Sequence, residues 1–77
     1  MAVMLTLKVG DMYAVSGTGD AVAGTIGVYF SGAGTIGITT TSGRAVNLTG
    51  AVGTFIECPI ASWTSLGSAV VVGVIGR

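Results

Sequence analysis

The sequence predicts an all-β protein: a small antiparallel β-sandwich or barrel of about six or seven short strands, with Greek-key or jelly-roll-like connections. Three observations predict it. Glycine supplies 14 of the 77 residues and Val, Ile and Thr are prominent among the rest, a composition that disfavours helices and suits pleated strands. Apolar residues recur with a period of two, most clearly at Val3, Leu5, Leu7 and Val9. Short clusters of Gly, Ser and Asp then punctuate the chain at intervals too short for anything but strands. A chain of 77 residues makes one domain, residues 1–77. At that size folding buries only about 60% of the unfolded surface, so stability leans on staples or partners. The lone cysteine, Cys58, closes no loop within the chain, and the absence of histidine leaves no set of zinc ligands.

Taken in order, the alternation of Val3, Leu5, Leu7 and Val9 predicts a first strand, with Leu5 and Leu7 in the core. Gly10-Asp11 reads as a turn, Met12–Ser16 as a second strand, and Gly17–Asp20 as another turn. Next comes a repeated string: Gly-Thr-Ile-Gly stands at residues 24–27 and again at 34–37. The windows ten residues to either side, Ala14–Gly17 and Arg44–Asn47, do not continue it, and a solenoid needs about three or more repeats to bury its own faces. A hairpin suits the letters better. A three-residue loop, Gly32-Ala33-Gly34, sets Phe30 against Ile36, Val28 against Ile38 and Ile26 against Thr40, apolar against apolar.

Residues 42–53 form the longest connection, in which Val46 and Leu48 dock on the sheet or make a short extra strand. Thr54–Cys58 reads as a strand with Thr54, Ile56 and Cys58 on one side and Phe55 and Glu57 on the other; Pro59, without an amide hydrogen, marks its end, a bulge or an edge. Trp63 lies in a sixth strand or a crossover, Ser65–Ser68 turns the chain, and residues 69–76 make the final strand. That strand does not alternate: Val70, Val72 and Val74 are as apolar as Val71 and Ile75, which predicts burial of both faces, one of them by a neighbouring subunit. Phe30, Phe55 and Trp63 are expected in the core, and Tyr13 and Tyr29 at rims or subunit contacts.

Charge is the extreme property. Charged residues make up 8% of the chain, with no net charge, against roughly 25% in ordinary domains. Little would keep a free monomer apart from its copies, so the sequence predicts a surface covered by other protein. Lys8, Arg44 and Arg77 are far apart, whereas phosphate backbones demand clustered cations, so nucleic acid is not an expected partner. The uncharged stretch 21–43 is too rich in glycine for a membrane helix. Met1–Asp11 lacks the basic start and sustained apolar run of a signal peptide, which predicts folding in the cytoplasm.

Chemistry is sparse, and no enzyme activity, cofactor or metal is expected. The acids are Asp11, Asp20 and Glu57; the first two sit in turn contexts, where aspartate bonds nearby backbone, and their spacing fits neither a carboxylate pair nor a calcium loop. Cys58 has no histidine to activate it and reads as a small buried hydrophobe. The glycine strings at 16–19 and 31–34 lack the helix that a phosphate-cradling loop requires. Asn47-Leu48-Thr49 matches a glycosylation acceptor, silent without secretion. Arg44 and Arg77 read as a solvated tip and a free end, or as inter-subunit partners of Asp20 or Glu57 that set assembly register.

Residues 52–77, VGTFIECPIASWTSLGSAVVVGVIGR, resemble small structural proteins of tailed bacteriophages, both capsid decoration (cement) proteins and compact tail or fibre modules. The shared texture is a strand, a proline corner, a Ser/Gly turn and a valine-rich last strand closing on glycine and a basic residue. The chain departs from the pattern in lacking acidic and lysine-rich surface positions. The resemblance implies a non-enzymatic virion protein, made in the host cytoplasm, that docks as an oligomer on the head lattice. Its implied partners are copies of itself, with a homotrimer among the candidate assemblies, and the major capsid protein or another virion protein. Val70, Val72 and Val74 would carry subunit packing, aided by Arg44 and Arg77, with strand addition at open sheet edges. The alternatives are a tail, fibre or receptor-binding module, which calls for aromatic side chains at a loop tip, and a self-assembling β filament.

Overall fold

In the computed structural model, which describes residues 9–77, eight strands follow one another: β1 (Val9–Ala14), β2 (Gly19–Asp20), β3 (Thr25–Gly32), β4 (Gly34–Thr40), β5 (Ala45–Gly50), β6 (Phe55–Glu57), β7 (Ile60–Ser65) and β8 (Val70–Gly76). They form two antiparallel four-stranded sheets, the first in the order β1-β8-β3-β6 and the second in the order β2-β7-β4-β5. The pairings β1 with β8, β2 with β7, β3 with β6 and β4 with β5 are those of one long hairpin whose tip is the β4–β5 turn. Rolling that hairpin over adds the contacts β3 with β8 and β4 with β7. The product is an eight-stranded jelly roll. The expected sandwich is present, with more strands than the six or seven anticipated, because the two-residue β2, in a stretch that reads as a turn, is too short to show in a pattern of residues.

Each arm of the hairpin passes from one sheet to the other at three corners, and backbone bonds tie the two arms together there. At one corner the Phe30 N–H donates to the Thr54 carbonyl (2.8 Å) and the Gly53 N–H to the Phe30 carbonyl (2.7 Å). At the next, the Cys58 N–H donates to Ile26 (2.8 Å) and the Ala21 N–H to Ala61 (2.9 Å).

These crossings overturn the expected β3–β4 hairpin. Phe30 pairs with Val71, and Ile36 with Leu48. Phe30 and Ile36 do meet in the core, but from opposite sheets. The segment Gly32-Ala33-Gly34 is a corner between layers, not a loop within one. A Cβ at Gly34 would stand 2.8 Å from the Ala69 side chain and 2.9 Å from its backbone nitrogen, so glycine is there because the β7–β8 connection presses against the corner. The two Gly-Thr-Ile-Gly strings consequently present different faces: Thr25 is buried and Ile26 half-buried in β3, whereas Thr35 is exposed and Ile36 buried in β4.

The core lies between the sheets. Val28, Phe30 and Val71 meet Ile36, Ile38, Ile60 and Trp63, with Val46, Leu48, Ile56 and Cys58 packed at its margin. Burying each large apolar side chain contributes about 1.5–3 kcal/mol. Phe30 reaches across the layer: a Cβ at Gly50 of β5 would lie 2.7 Å from its ring. Val46 and Leu48 dock as anticipated, within a strand, and Pro59 does end β6.

Several expectations are corrected. Gly10-Asp11 is no turn; a bulge there lets β1 continue to Ala14. Most of the first expected strand, with Leu5 and Leu7, falls outside the described residues. Phe55 is opposite Tyr29, on the outer side of the first sheet and half-buried, so it does not join the core. Tyr13 is opposite Gly73 and packs against the core, not at a rim. Val70 is 59% exposed in the single chain, on the face of β8 that the sequence expects a neighbouring subunit to cover.

Candidate functional site

The two outer faces of the sandwich differ in chemistry. Side chains directly opposite one another in antiparallel strands share a face. Val28 and Phe30 face the core, so the pairs Tyr29–Val72 and Gly27–Val74 face outward. Met12 and Ala14 of β1, opposite Val74 and Val72, join them, as does Phe55. The outer side of the first sheet is therefore largely apolar, with Glu57, opposite Gly27, on the same face at the β6 edge. Its openness is graded: Val70 is 59% exposed, Val72 half-buried and Val74 1% exposed. Val74 is thus covered within the single chain, while Val70 and Met12, 47% exposed, remain open.

The outer side of the second sheet carries hydroxyls. Thr35 stands opposite Thr49, Gly37 opposite Asn47, and Thr39 opposite Ala45 and Ser62. The Thr35 and Thr49 hydroxyls are 2.8 Å apart, and Thr64 lies over Gly37, where a Cβ would stand 2.8 Å from its Oγ1.

The charges are segregated as well. Asp11, Glu57 and Arg77 lie near the end of the first sheet where β3 begins, and Arg44 lies in the β4–β5 turn at the same end of the sandwich. Asp20 sits midway, opposite Ser62. The opposite end, made by the β1–β2, β3–β4, β5–β6 and β7–β8 connections, contains no ionisable group among the described residues and exposes Val52 at 68%. The predicted site residues are therefore divided: Val70 and Val72 belong to the open apolar face, while Arg44 and Arg77 belong to the charged end.

The remaining candidates do not assemble into a reactive site. Asp11 accepts a hydrogen bond from its neighbour Met12 (2.8 Å). Cys58 is a free, half-buried thiol at the core margin. Asn47 is exposed on β5. The cleft between β1 and β2, lined by Tyr13, Ser16, Thr18, Asp20 and Trp63 among others, holds about 220 Å³, below the ~300–1,000 Å³ of ordinary ligand pockets. Trp63 is 3% exposed and offers no ring face for stacking. Among the described residues, no three His, Cys, Asp or Glu side chains group as metal ligands, and no helix is long and apolar enough to cross a membrane.

Beside that cleft is a closed hydrogen-bond circuit that the sequence did not announce. Thr25 Oγ1 donates to the Val22 carbonyl (2.6 Å), the Val22 N–H donates to the Tyr13 hydroxyl (3.2 Å), and the two hydroxyls lie 2.7 Å apart. With the Thr25 proton engaged, the Tyr13 hydroxyl donates to Thr25. The circuit satisfies buried Thr25 and ties β1 to the β2–β3 connection. Comparison with protein-family models, curated proteins and solved structures finds no match.

Proposed function

We propose that this protein is a non-enzymatic structural subunit of the capsid-decoration kind, which docks on the head lattice of a tailed bacteriophage as an oligomer. One observation carries the reading: the open apolar outer face at Met12, Val70 and Val72, backed by an end without ionisable groups among the described residues and with Val52 exposed. Apolar surface of this kind gains free energy when another protein covers it. The hydroxyl-bearing face of the second sheet suits the side left toward water, which gives a docked subunit an inside and an outside. Mechanically, a subunit seated across neighbouring capsid proteins would resist their separation under the pressure of packaged DNA. The fibre or receptor-binding alternative calls for aromatics at a loop tip; Tyr13, Tyr29, Phe30, Phe55 and Trp63 all lie in strands, so no observation favours it.

The test is binding of purified protein to undecorated capsids, with Val70→Asp as the variant, together with the copy number in purified particles. Hundreds of copies per particle, and binding lost in Val70→Asp while its fold is retained, are expected. A few copies per particle, or full binding by Val70→Asp, would refute the reading.

A further inference from the structure

We infer that the free edge of β5 is a pairing site for β5 of a second copy, related by a two-fold axis through Asn47. This does not rest on the capsid reading and concerns a different surface.

Among the described residues, three of the four sheet edges are blunted. β1 carries a bulge at its start and Asp11, β2 has two residues, and β6 has three and runs into Pro59. Bulges, charges, proline and shortness are the devices that keep edges from pairing. β5 has none of them. It is six residues long, uncharged, free of proline, and paired to β4 without a register break from Gly34–Gly50 to Thr39–Ala45. Among the described residues, no strand lies on its other side.

The turn fixes which backbone groups are open. The Thr40 N–H donates to the Arg44 carbonyl (2.8 Å), so Arg44 is at a hydrogen-bonded position against β4. In an antiparallel ladder such positions alternate. Val46 and Leu48 therefore spend their backbone groups on β4, and Ala45, Asn47 and Thr49 aim theirs at the free edge.

One register uses all three open residues of this edge. Asn47 opposite Asn47 of the copy brings Ala45 opposite Thr49, so all three open residues of each strand meet open residues. Three residues with one N–H and one C=O apiece make about six backbone bonds across the axis. The same register sets Val46 against Leu48 on the inner face, which extends the core across the junction, and sets the Asn47 amides together outside. A shift by one residue would place Asn47 opposite Leu48 and put the two cores on opposite sides of the sheet. β6, the first-sheet edge next to this margin, is short enough to leave room. The resulting dimer differs from the trimer that the sequence suggests; a trimer would have to use another surface, such as the outer face of the first sheet.

The experiment is amide hydrogen exchange on the full chain across a range of protein concentrations, paired with sedimentation of Asn47→Pro and Val70→Asp. Protection of the Ala45, Asn47 and Thr49 amides should rise with concentration, while Val46 and Leu48 stay protected throughout. Asn47→Pro removes an N–H that β4 does not use, so the monomer should keep its strand signature, and self-association should weaken about a hundredfold. Val70→Asp should leave dimerisation unchanged. Fast exchange at all three edge amides at every concentration, a chain that stays monomeric, or a dimer unaffected by Asn47→Pro would overturn the inference.

Discussion

Substituting Gly73 by alanine tests how the first sheet is packed. Gly73 lies in β8 between Tyr13 and Val28, and a Cβ there would overlap the hydroxyl end of the Tyr13 ring, 2.6 Å from Cε1 and 2.7 Å from the hydroxyl. Gly73 is not in the left-handed region, so alanine is conformationally allowed and would by itself stabilise by about 0.4–1 kcal/mol through the unfolded state. Against that stand about 1–3 kcal/mol of overpacking and about 1 kcal/mol as the displaced ring leaves its circuit with Thr25 and Val22. The net is a destabilisation of about 1–3 kcal/mol, or roughly 4–8 °C in Tm per kcal/mol.

The decisive measurement is a double-mutant cycle with Tyr13→Val, which withdraws the ring while keeping a strand-forming residue. In that background Gly73→Ala should become neutral or stabilising, giving a coupling of about 2–4 kcal/mol. Urea unfolding, followed by fluorescence of Trp63, the one tryptophan, reads all four proteins. Additivity within about 0.5 kcal/mol would refute the packing of Tyr13 on Gly73.

Two further outcomes follow from the same packing. Tyr13→Phe keeps the ring but opens the circuit at buried Thr25; a loss of about 1–2 kcal/mol is expected in urea unfolding, larger than a surface change produces. Phe30→Ala removes a fully buried side chain that bridges the layers to Gly50; about 3–5 kcal/mol should be lost, seen as a lower urea midpoint or an unfolded chain.

The strands that the residues announce well are those with local contrast. β6 is signalled by Ile56 between Phe55 and Glu57, whereas β5 is signalled only in part: Val46 and Leu48 alternate with Asn47 and Thr49, but within a stretch that reads as the longest connection. The β3–β4 connection is misread for a physical reason. Phe30 and Ile36 are both core residues, and apolar matching cannot distinguish residues that pair across a ladder from residues that meet across two sheets. Only the partners far along the chain, Val71 for Phe30 and Leu48 for Ile36, decide it. The apolar outer face is half legible. The equal greasiness of Val70, Val72 and Val74 marks it, but the burial of Val74 depends on neighbours that no local pattern names. The open edge of β5 is invisible in the residues alone, since it follows from sheet order.

The scarcity of charge acquires a different meaning once the faces are separated. A chain with 8% charged residues needs neither insolubility nor complete coverage by copies, because hydroxyls and amides hydrate a surface without ions. Here they are concentrated on one outer sheet, at Thr35, Thr39, Asn47, Thr49, Ser62 and Thr64, while the opposite outer sheet presents Met12, Tyr29, Phe55, Val70 and Val72, with Glu57 as its one charge among the described residues. The alternation that puts Asn47 and Thr49 on the wet face also turns their backbone groups to the open edge, while Val46 and Leu48 reach inward. A partner at that edge is therefore selected by hydrogen-bond register, and a partner on the first sheet by apolar contact. If both proposals hold, two associations of unlike chemistry would occupy separate surfaces of one small subunit without competing.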